Sequence, residues 1–346
     1  MTSIGQFAFS CCSRLSSINI PDGVTSLDGT FHGCSSLTSI SIPNSVTFIG
    51  NSTFEGCKSL TSITIPNGVT NISYYAFSEC TSLTSVVIPN GVTSIPFAAF
   101  YNCTSLTSIT IPSSITYIGE SAFWGSGLTS IIIPSGITGI EKNSFQNCSQ
   151  LTAIMVEEGN TVYDSRDNCN AIIETATNTL MVGCETTIIP NSVSTIGAEA
   201  FYGRVNLTSI MIPNSVNAIE DYAFEGCINL TSVTIPSSVT SIGKSFNMCN
   251  GLSTVTSLNP TPPHIDTYTF SPWPSILKVP AGHKEDYAAA EGWKKFANIE
   301  EIDPTDVKSV YSNKEKVDPI YNLNGHLLSA PQKGVNIIQG KKKWVK

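Results

Sequence analysis

Apolar residues return along this chain in a fixed frame. Ile40 and Ile42 alternate with Ser39 and Ser41, followed by Pro43, Val46, Ile49, Phe54 and Cys57; the same order then restarts at Ile63 and Ile65. Period-2 alternation predicts a short strand with one buried face, and proline, which cannot donate to a ladder, ends it. Val46 and Ile49 predict a second short extended piece. Gly50, Phe54 and Cys57 predict a tight turn or short helical piece, with Phe54 the largest core residue. So short a unit cannot close a core alone, and the units must stack. Stacking at ~4.8 Å per coil sets equivalent residues in columns.

The frame L-T-S-I-x-I-P-x-x-V-T-x-I-G-x-x-x-F-x-x-C starts at Leu37, Leu60, Leu83, Leu106, Leu128, Leu151, Leu207 and Leu230. Its prolines fall at 21, 43, 66, 89, 112, 134, 190, 213 and 236, in steps of 22 or 23 with one step of 56. The long step divides into 23 residues to Glu157 and 33 to Pro190. Within the excess, AIIET and TLMVGC flank a turn at Ala176 to Asn178, which predicts a β-hairpin inserted into one coil over about residues 157–187.

This frame resembles the leucine-rich repeats of the BspA-like class of Bacteroidales type, and YDSRDNCNAIIETATN is similar to an insertion common in such proteins. The resemblance implies a β-rich leucine-rich-repeat solenoid of 22–23-residue coils, with a parallel β-sheet on one face. It also implies a secreted or cell-surface protein that binds host matrix proteins or other cells. The chain itself starts inside a repeat and shows no signal peptide.

Past residue 256 the pattern changes. NPTPPHIDTYTFSPWPSILKVP is proline-rich, and the stretch after it predicts a short helix with Tyr287, Trp293 and Phe296 available to dock. A solenoid end needs covering. Residues 1–256 therefore read as the solenoid, 257–303 as a small α/β C-terminal cap, and 304–316 as a linker. Residues 317–346 read as a short β tail with hairpin signals at Asn324-Gly325 and Gln339-Gly340. The tail resembles a shortened sorting or anchoring segment.

Charged residues are 13% of the chain, against about 25% in an ordinary domain. In a stack, a charge written into the repeat becomes a column of like charges, so low charge follows from stacking. The net charge of −8 divides into −10 over residues 1–256 and +2 over the rest. An acidic chain without a basic stripe is a poor fit to nucleic acid, and no apolar run is long enough for a membrane span.

The same columns decide the cysteines. Cys34, Cys57, Cys80 and Cys103 recur every 23 residues, with Ser126 and Arg204 in the equivalent slot elsewhere. Parallel side chains suit neither a disulfide nor a zinc site, so these read as buried thiols acting as small hydrophobes. Cys11 and Cys12 lie outside that argument. Cys169 and Cys184, across the expected hairpin, are the candidate disulfide. No catalytic motif is present, and the four histidines sit in different modules. The acidic residues Glu157, Glu158, Asp164, Asp167 and Glu174 lack the alternation of a calcium loop. The expectation is a non-enzyme without metal or cofactor.

Two surfaces are candidates for binding. The outward positions of the strands form a hydroxyl ladder interrupted by Val87, Ile132, Met155 and Met211. On the turn side, alignment on the phenylalanines puts Tyr74 and Phe97 in one column and Tyr101 and Trp124 in another, with Tyr75 and Tyr117 nearby. Exposed aromatic patches mark interfaces. The sequence thus predicts an adhesion and protein-interaction scaffold, with a carbohydrate-binding module and a structural spacer as alternatives.

Overall fold

The computed structural model describes residues 3–302 and, beyond them, the backbone of the strands Ile320–Asn322, Leu327–Leu328, Gly334–Ile338 and Lys341–Val345. Those four strands form one antiparallel sheet. The turns at Asn324-Gly325 and Gln339-Gly340 and the linker 304–316 lie outside the described residues. The chain divides into two compact units. The first runs to Leu151 and includes Val156–Tyr163; the second comprises Thr152–Met155 and the chain from Asp164 onward. Each contains a stack of coils.

In the first unit the alternating segment and the Val-x-x-Ile segment each build a parallel ladder. Ser62–Thr64 pairs with Ser85–Val87, and single bridges extend this ladder through Ser41 and Thr110. Ser26–Leu27, Phe48–Ile49 and Asn71–Ile72 form one run of the second ladder, and Ser94–Ile95, Tyr117–Ile118 and Gly139–Ile140 another. Ile63, Ile65, Val69 and Ile72 are buried between these walls while Ser62 and Thr64 face solvent.

The third wall is the tight turn of the two alternatives, not a short helix, and its backbone has a regular pattern. Residues two before and two after each phenylalanine are left-handed: Ser52 and Gly56 around Phe54 (φ 53° and 70°), Tyr75 and Glu79 around Phe77 (59° and 56°), Ala98 and Asn102 around Phe100 (52° and 53°). Such spacing turns alternate N–H groups to the same side. Ser52, Phe54 and Gly56 donate to the carbonyls of Tyr74, Ala76 and Ser78 in the next coil at 2.9, 2.9 and 2.8 Å. The left-handed conformation costs an L-residue roughly 1–2 kcal/mol. Intercoil hydrogen bonds, at about 0.5–1.5 kcal/mol each, offset it. A helix would have used these donors within the coil and left the stack without its third ladder.

Inside this wall the phenylalanine rings stack. From Phe9 through Phe31, Phe54, Phe77, Phe100 and Phe123 to Phe145, successive centroids lie 5.4–5.8 Å apart with planes within 14°. The cysteine column runs beside them, and its thiols are more than small hydrophobes. Cys57, Cys80 and Cys103 donate to the carbonyls of Phe31, Phe54 and Phe77 at 3.2, 3.1 and 3.1 Å. Each thiol thus satisfies a buried carbonyl one coil back. Cys12 heads this column, because its N–H bonds Phe9 O as that of Cys34 bonds Phe31 O. Burial raises the thiol pKa, to about 12 for Cys57 and Cys103.

In the second unit the hairpin is present: Ala171–Glu174 pairs antiparallel with Thr179–Gly183. Its second strand joins the Val-x-x-Ile ladder, which continues in parallel through Thr195–Ile196, Ala218–Ile219, Ser241–Ile242 and His264–Ile265. Arg166 grips Asp164 with Nε and a second guanidinium nitrogen at 2.8–3.0 Å and donates to Asn178 Oδ1 at 2.7 Å, fixing the hairpin turn. Arg204, only 1% exposed, fills a cysteine slot and donates from Nε to Gly183 O at 2.8 Å. A Cβ on Gly183 would lie 2.2 Å from the Phe201 ring, so glycine is required there.

The parallel sheet runs on past residue 256, where Ser232–Ile235, Thr254–Ser257, Ile276–Val279 and Asn298–Glu301 pair in order. The rings of Phe201, Phe224, Phe246 and Phe270 stack at 5.0–5.4 Å. Trp273 and Trp293 then tilt 58° to Phe270, and Phe296 lies at 72°, which ends the stack. Tyr287, on the helix Lys284–Ala289, is buried with its hydroxyl on Asn259 O at 2.7 Å. Trp293 Nε1 donates to Pro263 O at 2.7 Å. Two backbone donors of this last turn are also dealt with: Tyr268 N–H bonds Asp266 Oδ1 at 2.9 Å, and Pro272 has no N–H at all.

The disulfide considered for Cys169 and Cys184 is absent. Both are buried thiols with separate carbonyl partners, Ala171 O for Cys169 and Asn170 O for Cys184. Only Cys11 and Cys12 among the eleven cysteines are exposed. A thiol reagent is therefore expected to modify two sulfurs in the native protein and all eleven after denaturation without reductant. Nine in the denatured sample would mean that a bridge forms.

Candidate functional site

The turn-side aromatics fall into two arrangements, both within the first unit. Tyr74 occupies the position three residues before the column phenylalanine, Phe97 follows it one coil on, and Glu120 comes next. Phe97 stands edge-on to two tyrosines, to Tyr74 at 6.3 Å and 89° and to Tyr75 at 5.1 Å and 86°. Tyr74 is 57% exposed and Tyr75 is also exposed, while Phe97 is half-buried between them. Tyr75 is left-handed because it occupies the slot two before Phe77, and that backbone directs its side chain out of the core.

Tyr101 and Trp124 differ. Their rings stack at 4.6 Å and 5°, and both are half-buried. Each covers a face of the other, so the pair offers mainly edges to solvent.

Tyr117 comes from the strand Tyr117–Ile118. Its ring extends over the next coil, where a Cβ on Gly139 would lie 2.7 Å away, and its hydroxyl donates to Glu141 Oε1 at 2.7 Å. That hydrogen bond, aided by partial burial and by the nearby Glu141, Tyr74 and Glu120, pushes the phenol up to about 12. The structure thus groups Tyr74, Tyr75, Phe97 and Tyr117 with Glu120 and Glu141.

On the sheet side the apolar outward positions are unequal. Val87 is 70% exposed and Met211 54%, whereas Ile132 and Met155 are half-buried. The hydroxyl ladder is likewise incomplete, since Ser130 and Ala153 are buried. Ile188, 65% exposed, is an outward apolar residue that the sequence reading passed over. Its position two before Pro190 matches that of Met211 before Pro213, and this spacing could have found it.

Two side-chain contacts join neighbouring coils here: the His32 ring lies 3.9 Å from the Glu55 carboxylate, and Lys58 pairs with Glu79 at 3.8 Å. Among the described residues no cluster of three or more His, Cys, Asp or Glu could hold a metal. No helix among them is long and apolar enough to cross a membrane.

Parallel ladders, a phenylalanine column and coils of 22 or 23 residues define a leucine-rich-repeat solenoid. The description "BspA type Leucine rich repeat region" matches residues 1–84, 27–152, 70–180 and 181–284, so the chain belongs to the BspA-type leucine-rich-repeat family. A leucine-rich repeat protein from Eubacterium ventriosum shares the fold at TM-score 0.64 and 22% identity, over 82% of this chain and 80% of its own. A leucine rich cell surface protein from Faecalibacterium prausnitzii aligns at TM-score 0.55 and 26% identity, over 87% and 92%. No curated protein matches the chain. Members of this repeat class serve in general as protein-interaction or adhesion scaffolds and not as catalysts.

Proposed function

We propose that this chain is a non-catalytic adhesion scaffold, secreted or at the cell surface, that binds proteins of a host or of neighbouring cells. The observation that carries the reading is the contrast within one column. Core positions repeat as Phe54, Phe77, Phe100 and Phe123, while the outer slot three residues earlier holds exposed Asn51, Tyr74 and Glu120 and half-buried Phe97. A scaffold that holds its core constant and varies its outer face suits a ligand-specific surface. Tyr74, Tyr75, Phe97 and Tyr117 form the primary contact, with Tyr101 and Trp124 bordering it. On the alternating segments, Val87 and Ile132 contribute in the first unit, and Met155, Ile188 and Met211 separately in the second. Residues 317–346 act as the sorting or anchoring tail. A neighbour described as a cell surface protein agrees with this location. At Tyr101 and Trp124 the glycan alternative is less well supported, because a sugar platform needs open ring faces and these two rings cover one another.

The test is surface-based binding to purified extracellular-matrix and cell-surface proteins. At least one is expected to bind at micromolar concentration or better, with Tyr74→Ala/Phe97→Ala weakening it about tenfold, as loss of a central aromatic contact does. Equal binding by the variant and the native protein would remove this surface from the interaction.

A further inference from the structure

We infer that the Tyr74–Phe97–Glu120 column takes a cationic segment, an extended stretch of a partner protein bearing Arg or Lys residues two or three positions apart. The inference rests on the reading above of this surface as a contact and adds the chemistry of what it contacts.

Three observations carry it. First, the exposed rings are not stacked face to face. Tyr74 and Phe97 meet at 89° and Tyr75 and Phe97 at 86°, so neither tyrosine is capped by a parallel Phe97 ring, and Tyr74 is 57% exposed; uncovered aromatic surface attracts a cation.

Second, the rim is acidic. Glu120 continues the column and Glu141 holds the Tyr117 hydroxyl at 2.7 Å, both exposed. Among the described residues neither carboxylate has an ion pair. Lys142 borders the patch, and the first unit as a whole carries three basic residues against eight acidic ones.

Third, the dimensions fit. Tyr74, Phe97 and Glu120 lie on successive coils and span ~10 Å, the reach of about three residues of extended chain. One basic side chain can then sit over the aromatic faces while a second meets Glu120. An acidic segment would place carboxylates against Glu120 and Glu141, and an apolar one would leave both unpaired.

The test uses two fluorescein-labelled twelve-residue peptides, one repeating Gly-Arg-Ser and one repeating Gly-Asp-Ser, titrated with the full chain by anisotropy. The arginine peptide is expected to bind at least tenfold more tightly than the aspartate peptide, and to weaken as salt is raised. Tyr74→Ala/Phe97→Ala and Glu120→Gln/Glu141→Gln are each expected to weaken it threefold or more. The control Asp22→Asn/Glu158→Gln removes the same charge from elsewhere on the first unit and is expected to change nothing. Equal loss in the control would mean that net charge alone attracts the peptide, and the proposal would fall. It would also fall if the two peptides bound alike. If a protein ligand still depends on Tyr74 and Phe97 in that case, the interaction surface stands and only its cationic preference is lost.

Discussion

Raising the pH above 9 is expected to unfold both repeat units, with loss of structure complete by about pH 11. The cause lies in the thiol columns. Burial pushes Cys57 and Cys103 in the first unit, and Cys169 and Cys249 in the second, up to about 12 from an ordinary 9.0. Cys80 and Cys227 are also driven well above their ordinary value by the same cause. A thiol whose folded pKa is raised supports the fold fully below pH 9, where it is protonated in both states. That support is lost between 9 and 12, where the unfolded chain ionises and the folded one cannot. Each such group contributes about 1.4 kcal/mol per pH unit, so three per unit remove ~4 kcal/mol per pH unit. Domain stabilities are only about 5–15 kcal/mol. Far-UV circular dichroism against pH, under reductant, checks this. An intact signal at pH 11.5 would sink it, and Cys57→Ser/Cys80→Ser/Cys103→Ser is expected to move the first unit's midpoint upward.

The second large effect is expected from Phe100→Ala. Phe100 is buried between Phe77 at 5.4 Å and Phe123 at 5.5 Å, with planes within 6°. Truncation removes the ring and leaves a cavity that parallel ladders on three walls cannot collapse, a loss of about 3–5 kcal/mol. In a repeat stack, stability is a sum of coil terms and nearest-neighbour terms, and this change deletes two neighbour contacts at once. Chemical denaturation is expected to show a lower midpoint and a broadened or split transition. Phe48→Ala, at an exposed position of the second ladder, is expected to shift stability by no more than about 0.5 kcal/mol. Similar losses for the two variants would mean that the phenylalanine column is not the core.

Residue type announces some of this fold and is silent about the rest. The strands, the buried Ile, Val, Phe and Cys and the hairpin are written in periodicity, because each depends on which side chains are apolar. The left-handed residues are not, because that conformation is imposed by the intercoil ladder on whatever occupies the slot. Gly56 and Asn102 hint at it, but Tyr75, Ala98 and Glu199 adopt it equally. The thiol donors were hidden for a related reason, since spacing shows a column but not the carbonyl beneath it. The continuation past residue 256 was legible in principle. Leu277, Val279 and Pro280 preserve the strand-ending motif two 22-residue steps beyond Pro236, yet the surrounding prolines mask it. Of the candidate surface, the sequence named the aromatics. It did not foresee that Tyr101 and Trp124 would turn to one another, nor that Tyr117 would reach Glu141.

Pro272 makes the final turn of the second unit different in kind from those before it. Gly203, Gly226 and Met248, at the matching place, each hand a backbone proton to the following coil, and proline has none to give. At that place these three coils thus pass one hydrogen bond each along the third wall. At Pro272 this relay stops, while the parallel sheet runs on beyond it, through Ile276–Val279 and Asn298–Glu301.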